Sequence, residues 1–378
     1  MALRKKTAPK YYTLEQPLKK MSETGAKYLM VFGGRSDGKT WAGKEHVLRQ
    51  YLETGAQGVY LRRMVEDIRG FRGESLFKDM IEAGTIERIT DGKWEKVKYR
   101  GRAWYLARYD EDLNADVVDG QPFMFALALT DTDHNKSTSY AGVKTVIFDE
   151  FLSRTAYLTD EFTLFMNTLS TIIRDRNDVK IFMFGNTVTQ YCPYFREMGI
   201  RNVKQMKPGD MDVYEYGDSG LRVIVQYSDV SIKAKRSSNV YFAFDNPKLR
   251  MITGGEWELA IYPHLPYKYE RGEVFFEFFI RFGDELLHAE LISHGNDNFA
   301  YIHRKTTPIK DEETAFVYEQ GHSPSLFHRR RMTLPKTQLD RRILGYFQRD
   351  KVYYQDNEVG ETVRNYLLWS NRESIISA

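Results

Sequence analysis

The stretch Tyr28–Lys44, YLMVFGGRSDGKTWAGK, decides the fold. Its apolar run Tyr28–Phe32 has the composition of a strand buried in a parallel sheet. Gly33 and Gly38, followed by Lys39 and Thr40, complete the spacing G-x-x-x-x-G-K-[ST] of a phosphate-binding loop. Glycine lets the backbone curl so that its N–H groups point inward at phosphate oxygens. The candidate cradle is therefore Gly33, Gly34, Arg35, Ser36, Asp37, Gly38, Lys39 and Thr40. Lys39 offers a cation for the β- and γ-phosphates of ATP, and the Thr40 hydroxyl can sit on Mg2+. A helix expected from about Thr40 to Tyr51 would add its positive N-terminal end. A Gly-rich turn could match this pattern by chance, but strand, loop and helix fall in the required order.

Outward from this loop, Lys144–Leu152 (KTVIFDEFL) reads as a second core strand with Asp149 and Glu150 at its C-terminal tip. Paired with a phosphate loop, the Asp suits Mg2+ and the Glu suits a general base or orienter for water. Alone, the pair could be a helix cap. The helical pattern Asp160–Arg174 leads to a third apolar run, Lys180–Phe184, ending in Gly185-Asn186-Thr187. Asn186 would lie beside the Asp149 strand, where it could sense a γ-phosphate or its water; it could equally be a turn residue. This is the layout of an α/β P-loop NTPase of the additional-strand, catalytic-Glu type. Gln57–Arg62 is a further core strand, and Arg62-Arg63 at its end are either ligand contacts or a solvated pair. A helix is expected around Glu74–Glu82, then antiparallel edge strands in WEKVKYR and AWYLAR.

The bulk numbers fit this reading. A chain of 378 residues with 42% hydrophobic and 28% charged residues supports two or three domains with real cores. Net charge is +3, from 55 basic and 52 acidic residues, so a nucleic-acid partner must be met by a local basic surface. Cys192 is the only cysteine, which excludes an intrachain disulfide and suits a reducing compartment. The basic N-terminal arm precedes no apolar signal region, and no run reaches membrane-spanning length, so a soluble protein is expected.

Beyond Pro193 the character changes. Met206–Gly220 is turn-rich, and short strands with basic clusters such as Lys233–Arg236 suggest a small connecting module. Glu273–Arg304 is an antiparallel meander with turns at Gly283-Asp284 and Gly295–Asn298. The tail is expected to be helical, with basic runs at 328–332 and 339–342 that are either solvated faces or phosphate contacts.

GGRSDGKT, QGVYLRR, KTVIFDEF, NTLSTIIRDRNDVKIFMFGNTV and YCPYF, in this order, resemble the DNA-packaging ATPases of phi-29-like tailed phages, members of the terminase-like motors. The resemblance covers roughly residues 27–200. It implies an ATP- and Mg2+-dependent motor that drives double-stranded DNA into a preformed procapsid. It also implies a homo-oligomeric ring, a pentamer, on the procapsid portal or connector, with a structural packaging RNA and no membrane partner. The place of action would be the host-cell cytoplasm, transiently on the procapsid. By the same resemblance Thr40 and Asp149 hold the metal, Glu150 is catalytic, Asn186 is a sensor, and Arg35 is the arginine within the loop. Arg174 and Lys136 match basic residues offered to a neighbouring subunit's ATP. The implied domains are an ATPase domain over 1–205, a connecting module over 206–260, and a C-terminal α+β, ribonuclease-H-like domain over 261–378. That last domain would be a vestigial nuclease that binds nucleic acid or portal, since its first strand carries only Glu277. The competing readings are a terminase with an active nuclease, a helicase-like ATPase, and a non-enzymatic portal adaptor.

Overall fold

A computed structural model of the chain describes residues 11–131, 138–153, 157–158, 160–187, 192–229, 262–266, 268–321, 323 and 325–372. The chain divides into two units, Met1–Trp257 and Glu258–Ala378.

The first unit is built on a mixed sheet with a long parallel centre. After α1 (Glu15–Thr24) come β1 (Tyr28–Gly33), α2 (Lys39–Thr54) and β2 (Gln57–Arg62). Three one-turn helices follow, α3 (Phe71–Ser75), α4 (Lys78–Glu82) and α5 (Thr85–Ile89). Next are β3 (Lys96–Arg100), β4 (Ala103–Asp110), β5 (Ala115–Val118), β6 (Met124–Ala128) and β7 (Val143–Asp149). The unit continues with α6 (Glu161–Ile173), β8 (Lys180–Asn186), α7 (Pro193–Glu197), β9 (Met211–Tyr216) and β10 (Leu221–Tyr227). The strand order is β3-β4-β6-β2-β7-β8-β1-β10-β9, with β5 on β4. From β6 to β10 every neighbouring pair is parallel, whereas β3, β4 and β9 run antiparallel at the edges.

Every residue of β1 is buried, as a strand covered on both faces requires. Tyr28, Met30 and Phe32 enter one core with Phe165, Leu169 and Ile172 of α6 and Tyr194 of α7. Leu29 and Val31 alternate into the other, with Met21 of α1 and Val47 and Leu48 of α2. The edge strands read from WEKVKYR and AWYLAR are present as β3 and β4.

Four sequence expectations change. The strand β6 was not foreseen, although its MFALA run is a buried parallel strand. The helix expected around Glu74–Glu82 is broken between α3 and α4. Phe77 turns inward there against Trp104 and Phe123, and the Leu76 carbonyl is freed to accept from Lys44. Residues 211–227 do not belong to a connecting module: β10 pairs with β1 in parallel register and β9 folds back on it, so the first unit's sheet extends past 205. The continuous LRVIVQY run buries Val223, Ile224 and Val225 beside β1, which a linker could not do. The Lys233–Arg236 cluster lies outside the described residues.

The second unit contains the expected meander as β11 (Val274–Phe282), β12 (Glu285–His294) and β13 (Asp297–Arg304). It adds β14 (Val317–Glu319), β15 (His328–Arg329), α8 (Gln338–Gln348), β16 (Val352–Tyr354) and α9 (Asn357–Arg372), in the sheet order β15-β14-β11-β12-β13-β16. The fourth correction is here, because the basic run at 328–332 is not helical. Arg329 lies over the Phe316 ring and Arg330 over Trp369, so these guanidiniums cover the unit's own aromatic side chains. Among the described residues, no helix is long and apolar enough to cross a membrane.

The helix bearing the phosphate loop packs tightly on the sheet. A Cβ placed on Gly43 would meet the Phe184 ring at 2.5 Å and Ile147 at 3.0 Å. Gly43→Val is expected to destabilise the protein by about 1–3 kcal/mol through overpacking. Adding Phe184→Leu should recover part of that loss, because the two sites share one contact. Chemical unfolding of the single and double variants measures both effects; strict additivity would contradict the packing.

Candidate nucleotide site

The parallel register brings the C-terminal ends of β1, β8 and β7 side by side: Gly33 is opposite Asn186, and Asp149 is opposite Phe184. Ligands of parallel α/β sheets bind along this edge. A cleft of about 740 Å³ opens there, lined by Ser36 to Trp41, Tyr11, Tyr12, Lys44, Asp79, Asp149, Glu150, Gly185 and Asn186. Its size is that of a small-ligand site.

The loop is held before any ligand arrives. Gly33 passes so close to Ser228 that a Cβ would lie 1.9 Å from its hydroxyl. Ser228 Oγ donates to Asp37 at 3.2 Å, and the Tyr12 N–H donates to the Asp37 carbonyl at 2.8 Å. Gly38 takes φ 94°, a conformation open to glycine, and starts the 16-residue α2. Lys39 is buried; its Nζ donates to the Gly34 carbonyl at 2.7 Å and lies 3.9 Å from Asp37. Arg35 and Ser36 are exposed, and Ser36 lines the cleft.

Thr40 and Asp149 meet across the cleft, the hydroxyl lying 3.0 and 3.1 Å from the two carboxylate oxygens. Tyr60 donates to the same carboxylate at 2.7 Å, and Arg62 lies 3.8 Å from it. Arg62 also pairs with Glu150 at 2.6 Å. Next to them, burial lowers the Lys44 pKa, opposed by the charges of Asp79 and Asp149. A hydroxyl and a carboxylate converging on one point are oxygen donors suited to Mg2+. The buried Lys39 ammonium and the α2 N-terminus suit polyphosphate. The residues present therefore fit both groups.

Glu150 sits at φ 57°, in the left-handed region. Arg63 holds this turn: it donates to the Glu150 and Phe151 carbonyls at 3.2 and 2.9 Å and pairs with Glu161 at 2.8 and 2.9 Å. Glu161 is buried and also accepts from the Tyr194 hydroxyl at 2.7 Å. Burial alone would lower the Arg63 pKa, but the bond to Glu161 and its charge raise it overall.

Lys39, Thr40, Asp149, Glu150 and Asn186, singled out from the sequence, thus line one cleft. Arg174 does not. It caps the C-terminus of α6, ahead of β8, which begins at Lys180 and has Asn186 at its far end, and its exposed side chain donates to the Thr138 carbonyl at 3.3 Å. Nearby Asp178 bonds Lys144. Arg176 is structural, capping the carbonyls of Tyr140, Ala141 and Val143. Lys136 lies outside the described residues. Sequence reasoning missed Tyr11, Tyr12, Trp41, Lys44, Tyr60 and Asp79. Trp41 and Lys44 stand within the quoted loop-to-helix stretch, so their positions were available; Tyr60 comes from another strand and carried no local signal.

Known proteins share sequence and fold with this chain. The family model described as "Podovirus DNA encapsidation protein (Gp16)" matches residues 11–215. A DNA packaging protein of Bacillus phage B103 is 25% identical over 244 residues, covering 57% of this chain and 69% of that protein. Among solved structures, the bacteriophage Phi-29 viral genome packaging motor assembly aligns over 94% of this chain and 97% of its own. Its TM-score is 0.53 at 18% identity. The Phi-28 gp11 DNA packaging motor aligns over 97% and 98%, with TM-score 0.51 at 18% identity. At that identity the two structures speak for a shared mixed α/β fold. Because the family match spans more than half of the chain, including the cleft and the strands that carry it, this protein belongs to the podovirus DNA encapsidation family and is a phage DNA-packaging protein.

Proposed function

We propose that the cleft binds and hydrolyses ATP, and that the chain uses this energy to move double-stranded DNA into a preformed procapsid. The reading rests on one observation: Lys39, Thr40, Asp149, Glu150 and Asn186 line a single cleft at the start of α2, in a chain of the encapsidation family. Lys39 would exchange the Gly34 carbonyl for β- and γ-phosphate oxygens, as the α2 N-terminal N–H groups close on the same phosphates. Mg2+ would be held by Thr40 and Asp149, and when bound it neutralises charge on the phosphate oxygens. Glu150, exposed at the cleft rim, would accept a proton from or orient the attacking water, with Asn186 beside it. The strand layout supports the additional-strand, catalytic-Glu P-loop assignment, with the ATPase domain extended to include β9 and β10.

The same reading places the chain in a homo-oligomeric ring, a pentamer, on the portal of a procapsid in the infected host, with a structural packaging RNA as a further partner. Arg174 is separated from its own cleft by the length of β8, roughly 20 Å at strand rise. An exposed arginine so placed suits a neighbour's γ-phosphate, and Lys136 would act with it.

For the second unit, a meander followed by two strands parallel to its first supports a ribonuclease-H-like fold. Two of its acids are held in ion pairs, Glu277 with Arg271 and Glu319 with Arg281, and Glu319 also bonds His328. This favours a vestigial nuclease over a cutting terminase. Plasmid DNA incubated with the protein and Mn2+ should stay intact; cleavage abolished by Glu277→Ala would restore the terminase reading.

Steady-state ATPase assays test the central part. Lys39→Ala should lose nucleotide binding and turnover together, whereas Glu150→Gln should retain binding and lose turnover by at least about 100-fold. Mixing Glu150→Gln with Arg174→Ala should restore part of the activity through interfaces that pair an intact Glu150 with an intact neighbouring Arg174. Wild-type turnover by Glu150→Gln would refute its role. Assembled mixtures without recovery would refute the trans role of Arg174.

A further inference from the structure

We propose that His288, Glu290 and His303 form a binding site for a tetrahedral transition-metal dication, by donor set Zn2+, on the second unit's sheet. One ligand atom from each of the three residues lies within 4.8 Å of the others. The register explains why. His288 and Glu290 are two apart on β12 and share a face, and His303 on β13 stands directly opposite His288. Leu287, Ala289, Leu291, Ala300 and Ile302 take the alternate positions and are buried in the unit's core. The three ligand side chains therefore project together from the other face of the same two strands.

One separation within the cluster matches that of a metal site. Ligands at ~2.0–2.1 Å from a tetrahedral Zn2+ stand roughly 3.4 Å apart. His303 Nε2 lies 3.4 Å from Glu290 Oε2, a separation longer than an N–H···O hydrogen bond prefers. Two imidazoles and a carboxylate suit Zn2+ and leave one position for water or an incoming group, whereas Mg2+ and Ca2+ prefer oxygen donors alone.

An outer layer of contacts orients each ligand, as zinc ligands commonly require. His303 Nδ1 meets the Arg304 carbonyl at 3.1 Å, which leaves Nε2 to face Glu290. His288 Nε2 meets Glu277 Oε2 at 2.7 Å. The Tyr269 hydroxyl donates to Glu290, which is only 6% exposed. A cation already stands at this carboxylate: the Arg271 guanidinium contacts Glu290 at 2.9 Å and also bonds Glu277. Its side chain is 69% exposed, so it can swing into solvent when a metal takes its place. A bound ion would clamp β12 to β13, a role independent of ATP.

The test uses the full-length protein, stripped with chelator and titrated with Co2+ as a visible-absorption probe, then with Zn2+, without nucleotide. The Asp149→Asn variant removes the carboxylate of the nucleotide site and should bind the same single equivalent in a tetrahedral field. His303→Gln and Glu290→Gln should abolish that absorption while keeping the far-ultraviolet circular dichroism of the folded chain. Tyr269→Phe should weaken Zn2+ by about 10-fold or more, and Arg271→Ala should strengthen it. Zn2+ should raise the melting temperature of the wild type but not of His303→Gln. Absence of tetrahedral Co2+ absorption, or absorption unchanged in folded His303→Gln, would overturn the proposal and leave the cluster a hydrogen-bonded network.

Discussion

The hydrogen bond between Thr40 and Asp149 is the contact on which the candidate site depends. It joins the first turn of α2 to the tip of β7, residues 109 positions apart in sequence. It forms because β8 spaces β1 from β7 in parallel register, which brings the loop after β1 and the acids after β7 to one edge. From that contact the charges are arranged outward. Tyr60 and Arg62 on β2 approach Asp149 from the opposite side, and Lys44 lies one helical turn beyond Thr40. An anionic carboxylate held by a hydroxyl, a phenol and a guanidinium is preorganised, with little side-chain freedom left to lose on binding.

The second constraint is the turn after β7. A non-glycine residue with positive φ costs about 1–2 kcal/mol, and Glu150 adopts one. The turn is kept in shape by Arg63, whose guanidinium bonds two of its carbonyls while Glu161, itself accepting from the Tyr194 hydroxyl, holds the guanidinium from behind. The Phe151 N–H also donates to the Phe184 carbonyl. Glu150 is thus an exposed side chain on a rigid base, a sensible mount for a carboxylate that must meet water. A buried ion pair such as Arg63–Glu161 adds little net stability when intact, but losing one partner strands a buried charge. Its value here lies in geometry.

Much of this was legible in the chain. Local patterns marked the strand Tyr28–Phe32, the loop, the acids after KTVIF and the amide after KIFMF, because each pairs an apolar run with residues that have one evident use. The meander was equally plain, since alternation and Gly-containing turns mark antiparallel hairpins. What is not legible depends on partners distant in sequence. The LRVIVQY run of β10 looked like part of a linker because turn-rich segments surround it, and only its pairing with β1 makes it core. Tyr60 acquires its role from Asp149, and Arg63 from Glu161; neither relation leaves a local trace. The basic run at 328–332 misled for the opposite reason, as charge in sequence gives no sign of the aromatic rings beneath it. The second unit's histidines carry no spacing motif, because register and not sequence proximity puts His303 opposite His288.

The most direct test of the central claim, that this cleft is the ATP site, is a structure of the Glu150→Gln protein with Mg2+ and ATP. The β- and γ-phosphates should lie against the residue 33–40 loop, with Lys39 Nζ moved from the Gly34 carbonyl to phosphate oxygens. Thr40 and Asp149 should be on the metal side. Nucleotide bound elsewhere, or phosphates beyond hydrogen-bond reach of Lys39, would contradict it.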